Sequence, residues 1–468
     1  MNFADEARAL IGQAQVLTGV DMAKYASDVT GRYVAEPLAV ARPANTSEVS
    51  ALMKLAHARD IPVVPVGGNT GLSGATYAPG ALMISLERMN AIREIRADAR
   101  LAIVEAGVIQ QQLHEAVAAL GLRYPMVFGA RGSCQIGGNL ATNAGGSNVL
   151  RFGNTRALCL GIEVVLPDGE VMDLMSELHK DNSGYDLRDL FIGAEGTLGI
   201  ITAAVLKLVP APRAHATAMV AMPDLPSALK LLNALQEQTG GAVEAFEYMP
   251  RSYMARLGIV RPDLIPPLGA DHDVSILVEV GATSPRDAAP LEDGTIAVVA
   301  HLQDVLGAQL EDGALIDAVV AQSETQRALM WDIREAAAEI ILSRQPIVDS
   351  DVAVPLDQIA TFLERCEARL QEIDPGAESI TVSHLGDGNL HYSIWPTSED
   401  ETRNDAIREM VEDVTCDLRG SFSAEHGIGI TKLPSMARRK DPIAMKIMRQ
   451  VKAAIDPKGL MNPGKLLP

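Results

Sequence analysis

Two of this chain's nine histidines, His384 and His391, stand on either side of a turn signal in "SHLGDGNLHY" (residues 383–392). If Asp387 and Gly388 are the central pair of a two-residue type I′ hairpin, Gly386 faces Asn389, Leu385 faces Leu390 and His384 faces His391. Directly opposed side chains have Cβ atoms about 5 Å apart, so two imidazoles could share one metal ion. A cross-strand histidine pair without an ion accounts for the same residues. A second constellation is "PVGGNTGLSG" (65–74), where Gly67, Gly68, Gly71 and Gly74 follow a strand. Glycine lets successive N–H groups converge into a nest that suits a phosphate. No Gly-Lys-Ser/Thr follows and no G-x-G-x-x-G occurs anywhere, so a Walker loop and a nicotinamide Rossmann site are both unsupported. Taken alone, the loop reads more readily as a glycine-rich turn with no ligand.

Two further stretches change that balance. "GARGSCQIGGNLATNAGG" (129–146) and "GYDLRDLFIGAEGTLGIIT" (184–202) add dense glycine beside Ser133, Asn139, Thr142, Asn143 and Thr197, all hydrogen-bonding and uncharged. Such a surface grips a long cofactor through backbone, and a dinucleotide qualifies.

The elements that must carry these loops are of mixed type. "NTSEVSALMKLAHARD" offers Thr46 or Ser47 as N-cap of a helix running into the strand "IPVVPV". "RLAIVEAGV" is a strand, "IQQQLHEAVAALG" a helix closed by Gly121, and "LGIEVVLPDGEVMDL" a hairpin about Pro167, Asp168 and Gly169. "VPAPRAHA" (209–216) marks a boundary. Beyond it the order is strand 215–222, helix 225–238, strand 243–248, strand 273–281, a helix around 295–306 and strand 314–321. That βαββαβ order predicts a ferredoxin-like antiparallel sheet. "SETQRALMWDIREAAAEIIL" reads as one long helix. The tail "DPIAMKIMRQVKAAIDPKG" reads as an amphipathic helix capped by Asp441, with Ile443, Ile447, Val451 and Ile455 on one face.

At 468 residues the chain exceeds one core, and its net charge of −20 argues against a nucleic-acid partner. No run is apolar enough to cross a bilayer, and the start lacks a signal sequence, so a cytoplasmic protein is expected. The four cysteines lack a C-x-x-C pair, which disfavours an iron–sulfur cluster or thiolate zinc site.

In the order "PVGGNTGLSG", "GARGSCQIGGN", "ATNAGG", "LFIGAEGTLGIIT", "HLGDGNLH", "SAEHGIG", "NPGK", the chain resembles the FAD-dependent D-2-hydroxyacid dehydrogenases over nearly its whole length. "GARGSCQIGGN" is most similar to the D-2-hydroxyglutarate dehydrogenase branch, with D-lactate dehydrogenases next. The resemblance implies an α+β architecture: a two-part FAD-binding domain of the vanillyl-alcohol-oxidase type (1–210), a ferredoxin-like substrate domain (211–415) and a helical C-terminal segment returning to the FAD site (416–468). FAD contacts are then expected from Pro65, Gly67, Gly68, Asn69, Thr70, Gly71 and Ser73, with the pyrophosphate on the 67–71 loop. Gly132, Ser133, Gly137, Gly138, Asn139, Thr142, Asn143, Gly145 and Gly146 follow, then Gly196, Gly199, Ile200, Ile201, Glu425 and Asn462. The glycine loop holds no histidine, so FAD is expected to bind noncovalently.

The same resemblance assigns His384, His391 and Glu425 to a divalent metal, zinc first, and makes His426 the general base. Asn389 and Arg334 are expected to hold the substrate, Arg334 through the carboxylate fork. A metal would make the substrate hydroxyl acidic enough for an imidazole of pKa about 6.5 to accept its proton while C2 gives hydride to flavin. Electrons would pass to an electron-transfer flavoprotein or a quinone, and a homodimer is a candidate assembly. At two positions the chain departs from the branch it most resembles. Asp349 stands where a lysine holds the distal carboxylate, and Ala338 where a threonine is expected. An aspartate in a poorly solvated pocket would repel a second carboxylate, which predicts a D-lactate-like monocarboxylate ahead of D-2-hydroxyglutarate. A metal-dependent hydrolase with a nucleotide-type ligand, and a non-catalytic nucleotide-binding protein, are the competing classes.

Overall fold

The computed structural model describes residues 2–468. The chain forms two compact units: the first comprises residues 1–145, 153–210 and 425–468, the second residues 146–152 and 211–424. The return to the first unit therefore starts at Glu425. A boundary at 416 would cut the helix Glu401–Asp417.

In the first unit, strand Val63–Val66 lies parallel to Leu82–Ser85, which also pairs in parallel with Ala39–Ala41. The helix Thr46–Ala58 is capped one residue earlier than expected. Asn45 Oδ1 accepts the Glu48 N–H at 2.9 Å, and Glu48 returns a carboxylate oxygen to the Ala44 N–H at 2.8 Å. This arrangement satisfies the Glu48 N–H, one of the helix's orphan donors, ties down the residue before the cap, and outcompetes Thr46 or Ser47 as cap. The helix buries Val49, Leu52, Met53 and Ala56 on the parallel sheet. A second, antiparallel sheet runs in the order Ile92–Arg96, Leu101–Glu105, Ile200–Lys207, Cys159–Val165, Val171–Leu174. Its last hairpin turns at Gly169 (φ +84°). Near the other end of the chain, Met461 bridges Val63 in parallel and the Asn462 N–H donates to the Val63 carbonyl at 2.8 Å. The helix Pro442–Ile455 has Asp441 as its cap, but its expected apolar face is not the buried one. Ile443 and Ile447 are exposed and Met445 is buried instead.

The second unit is built on a seven-stranded sheet. Its strands are β1 (Ala214–Met222), β2 (Val243–Pro250), β3 (Val274–Ala282), β4 (Asp317–Val320), β5 (Val348–Ala353), β6 (Glu378–His384) and β7 (Asn389–Trp395). The order β4-β1-β3-β2 is that of a ferredoxin-like sheet, and β6-β7-β5 extends it antiparallel from β2. Alternation of side chains divides the sheet into two faces. One packs Val220, Phe246, Ile276 and Tyr392 under the helices α1 (Leu225–Gln238), α3 (Ala297–Glu311), α6 (Ile359–Ile373) and α7 (Glu401–Asp417). The other packs Met219, Leu277, Ile380 and Val382 under α2 (Arg251–Val260), α4 (Glu324–Glu335) and α5 (Ala337–Leu342). The single helix expected over 323–342 is broken at Ala336, so α4 and α5 are separate. Residues 146–152 belong to this unit because Arg151 pairs with the buried Glu244 at 2.6 Å and Leu150 fills the space over Gly386.

Candidate active site

The hairpin that opened the sequence reading forms, but in another register. His384 pairs with Asn389 and Val382 with His391. A type I′ turn needs positive φ at both central residues. Here Gly388 has φ +84° while Asp387 does not enter the left-handed region. The strands are therefore joined by four residues, Leu385–Gly388, closed by the Asp387 N–H on the His384 carbonyl (3.2 Å) and by the Asn389 N–H on Asp387 Oδ1 (3.2 Å). The register moves by two residues, which preserves the face. His384 and His391 thus remain neighbours on the α4 face as a diagonal pair, ring centroids 5.5 Å apart and nearly perpendicular. Their nearest ring nitrogens lie within 4.8 Å, which suits two donors to one ion.

Around them the sheet supplies a buried polar array that sequence reasoning did not find. Glu247 on β2, opposite His384 and 1% exposed, accepts from His384 Nδ1 at 2.9 Å. Its Oε2 also accepts Arg334 Nε and Nη2, each at 2.8 Å. Burial alone would raise the Glu247 pKa, but the attraction of His384 and Arg334 outweighs it and holds the carboxyl below its ordinary range. A carboxylate on Nδ1 fixes the proton there and leaves Nε2 as the lone-pair donor, the tautomer a metal ligand needs. Arg334 is buried and ion-paired through two of its three nitrogens, neither a surface arginine nor a wholly uncommitted fork. Asn389 gives its Nδ2 to Asp351 Oδ1 (2.9 Å) and the Val352 carbonyl (3.0 Å), while its Oδ1 is buried with no hydrogen bond among the described residues. Asp349 lies on the same face as Asp351 but is exposed, and it accepts the Ser393 hydroxyl at 2.6 Å. No sequence signal singled out Glu247, because "VEAFEYMP" reads as an alternating strand and its partner lies 137 residues away.

In the first unit the glycine loops meet backbone to backbone. A Cβ on Gly68 would lie 2.1 Å from the Ser133 carbonyl oxygen, and one on Gly196 (φ +69°) 2.4 Å from Pro65 Cγ. These glycines serve loop packing, whereas Gly71, Gly132 and Gly138 border open space. Several expected cofactor side chains are spent internally. Asn69 bonds the Ser27 carbonyl and Thr76, Asn139 bonds Gln110, Thr142 bonds the Gly138 carbonyl, and Asn143 accepts the Arg156 N–H. Ile200 and Ile201 are buried, and Gly146 belongs to the second unit. Any contact of these residues with a cofactor is therefore chiefly through backbone. Two buried acceptors, Gln135 Oε1 and Asn462 Oδ1, have no hydrogen bond among the described residues. With the open glycines they fit a ligand that brings hydroxyl and amide donors, as FAD does.

The "EHGIG" segment is seated in this unit by Glu195, another residue missed from sequence. Buried at φ +51°, Glu195 accepts the N–H groups of Ile428 and Gly429, each at 2.7 Å. Burial raises its pKa and these two bonds oppose the rise. Ser73 Oγ donates to the His426 carbonyl at 3.0 Å, and a Cβ on Gly429 would lie 1.9 Å from the Ser73 carbonyl oxygen. A Cβ on Gly145 would meet Glu425 Oε1 at 2.5 Å. The structure thus groups His384, His391, Arg334 and Asn389 in the second unit, and Glu425 and His426 with the glycine loops in the first.

Residues 37–175 match the FAD binding domain family, and residues 211–466 match the FAD linked oxidases, C-terminal domain. Together with a vanillyl-alcohol-oxidase-type fold these matches define an FAD-linked oxidoreductase. The fold is shared with p-cresol methylhydroxylase with substrate bound (TM-score 0.74, 16% identity, 99% of this chain and 96% of that one). Alkyldihydroxyacetonephosphate synthase is comparable (TM-score 0.72, 18% identity, 98% and 84%). The D-2-hydroxyglutarate dehydrogenase of Stutzerimonas stutzeri (strain A1501) is 35% identical over 469 residues, 99% of this chain and 98% of the relative. The mitochondrial D-2-hydroxyglutarate dehydrogenase of Bos taurus is 35% identical over 434 residues, 91% and 76%. The chain belongs to the FAD-dependent D-2-hydroxyacid dehydrogenases, which sets aside the hydrolase and non-catalytic alternatives.

Proposed function

We propose that the protein oxidises D-2-hydroxyglutarate to the 2-oxo acid, with His426 as base and His384, His391 and Glu425 as ligands of a divalent metal, zinc first. The observation that carries this reading is the Arg334–Glu247–His384 array, which places a guanidinium and the Nδ1 edge of an imidazole on one buried carboxylate. Glu425 follows Ala424, whose N–H donates to the Asp351 carbonyl at 3.2 Å, and Asp351 pairs with His391 across β5 and β7.

In this reading Arg334 uses its remaining Nη1 edge on the substrate carboxylate. Asn389 Oδ1 accepts from the substrate, and the His426 ring receives the hydroxyl proton. A bound divalent metal supplies Lewis acidity that lowers the hydroxyl pKa. Bound FAD supplies the hydride acceptor. The lack of a nicotinamide motif supports an electron-transfer flavoprotein or a quinone as acceptor. The cytoplasm is the proposed location and a homodimer the proposed assembly. No helix is long and apolar enough to cross a membrane among the described residues.

The choice of substrate turns on Asp349. Repulsion of a second carboxylate would need a poorly solvated pocket, but Asp349 is exposed and hydrogen-bonded by Ser393. In water two like charges about 4 Å apart cost only about 1 kcal/mol. That removes most of the argument for a monocarboxylate, and the relatives' names favour the dicarboxylate. Dye-coupled kcat/KM for D-2-hydroxyglutarate is expected to exceed that for D-lactate. The opposite order, with D-2-hydroxyglutarate rescued in Asp349→Lys, would overturn the assignment.

A further inference from the structure

Lys465, in "NPGK", is the most anomalous charge in the first unit. It is 5% exposed, and its ammonium donates to two carbonyl oxygens, Tyr77 at 2.5 Å and Pro463 at 3.1 Å, and lies 5.8 Å from the centroid of the Tyr77 ring. No carboxylate lies within ion-pairing reach among the described residues. A charge taken out of water without a counter-ion is expensive, and proteins keep one where a ligand repays the cost. Burial alone pushes this ammonium down to about 8.

Its position gives the ligand. The segment 462–466 runs along residues 73–77, which close the glycine loop. Asn462 Nδ2 bonds the Ala75 carbonyl at 3.1 Å, and the Tyr77 N–H closes a turn on the Gly74 carbonyl at 3.2 Å. The Leu466 N–H reaches the Gly429 carbonyl at 3.1 Å, and Gly429 packs on Ser73. The loop 65–74 itself contains no basic residue. A nest of backbone N–H groups can orient a pyrophosphate but carries no net charge to balance its two negative ones. We infer that Lys465 is the counter-cation for the cofactor's pyrophosphate, supplied to the loop from the far end of the sequence.

This assignment concerns cofactor affinity and is independent of which hydroxy acid is oxidised. The test uses full-length apoprotein of wild type, Lys465→Met and Lys465→Gln, titrated with FAD and with riboflavin, which lacks phosphate. Lys465→Met is expected to bind FAD about tenfold or more weakly while its riboflavin affinity stays within about twofold of wild type. Its apoprotein is expected to melt no lower than wild type, because an uncompensated buried charge has been removed, while the melting-temperature gain from FAD shrinks. An unchanged FAD dissociation constant, or an equal loss for FAD and riboflavin, would overturn the proposal. Should Lys465→Met fail to fold, Lys465→Gln can still donate to the two carbonyls and is read by the same criteria.

Discussion

Glu247 shows how one carboxylate can set the state of two others' chemistry. It orients a histidine and an arginine at once, so replacing it should separate effects that deletion of either partner would merge. Glu247→Gln is expected to weaken metal binding by about 10–100-fold, because the amide no longer enforces the Nδ1–H tautomer. Arg334 would lose its charged partner and KM would rise. Chelator competition with FAD absorbance on the same samples checks this, and wild-type metal affinity would remove Glu247 from the ligand's support. His384→Ala, His391→Ala and Glu425→Ala should each lower bound metal and turnover together while FAD content stays near normal. Metal analysis decides it ligand by ligand. At this scale the sequence displayed the residues proposed to touch ligands, since histidines beside a turn and glycines in a loop are rare enough to notice. It hid the roles of Glu247, Glu195 and Lys465, which come from burial and from partners far away in sequence.

Among the elements, α4 is the one whose seating governs the array. Arg327, Trp331 and Arg334 follow one another along its inner face and reach two buried glutamates on the sheet. Glu279 accepts Arg327 Nε at 2.7 Å, Trp331 Nε1 at 2.8 Å and the Thr217 hydroxyl at 2.8 Å. Arg327→Ala would strand that carboxylate and is expected to cost about 3 kcal/mol or more in denaturant unfolding. Burial works to raise the Glu279 pKa, but Arg327, with help from His215 and Trp331, holds it below the ordinary 4.5. Glu324, also paired with Arg327, and Glu244, whose carboxylate comes with His215 within 4.8 Å of Glu279, are the other acids at this contact. A folded pKa below the unfolded one means stability that is present above the unfolded value and lost as pH falls through the folded value. The second unit should therefore weaken as pH drops below about 4.5, and Glu279→Gln should flatten that dependence in thermal melts. Periodicity sufficed to outline most of these elements, with strand and helix limits in the ferredoxin-like part close to those found. It failed where a backbone conformation decides the outcome: the φ of Asp387 for the hairpin register, and the turn at Ala336 that divides α4 from α5.

For the molecule as a whole, the absence of a histidine from "PVGGNTGLSG" predicts that acid or heat releases FAD intact, and flavin retained by the denatured polypeptide would refute it. The cysteines offer a second measurement. Cys134, Cys159 and Cys366 are buried, and burial pushes the thiols of Cys159 and Cys366 up to about 12. Native protein should thus yield at most one thiol, Cys416, to a disulfide reagent at neutral pH and all four after denaturation.

The first unit is discontinuous in sequence: residues 1–145 and 153–210 are completed by 425–468, with residues 211–424 in between. On the ribosome that arrangement becomes an interval. Val63 must wait for Met461, the carbonyls of Ala75 and Tyr77 for Asn462 and Lys465, and Glu195 for the N–H groups of Ile428 and Gly429. At about 5–20 residues per second the intervening unit takes on the order of 10–40 s to synthesise. Throughout it the early segments lack the partner that closes them. A chain ending at 424 and released from the ribosome should accordingly present the second unit folded and the first still open to protease, and cofactor capture should require the late segment.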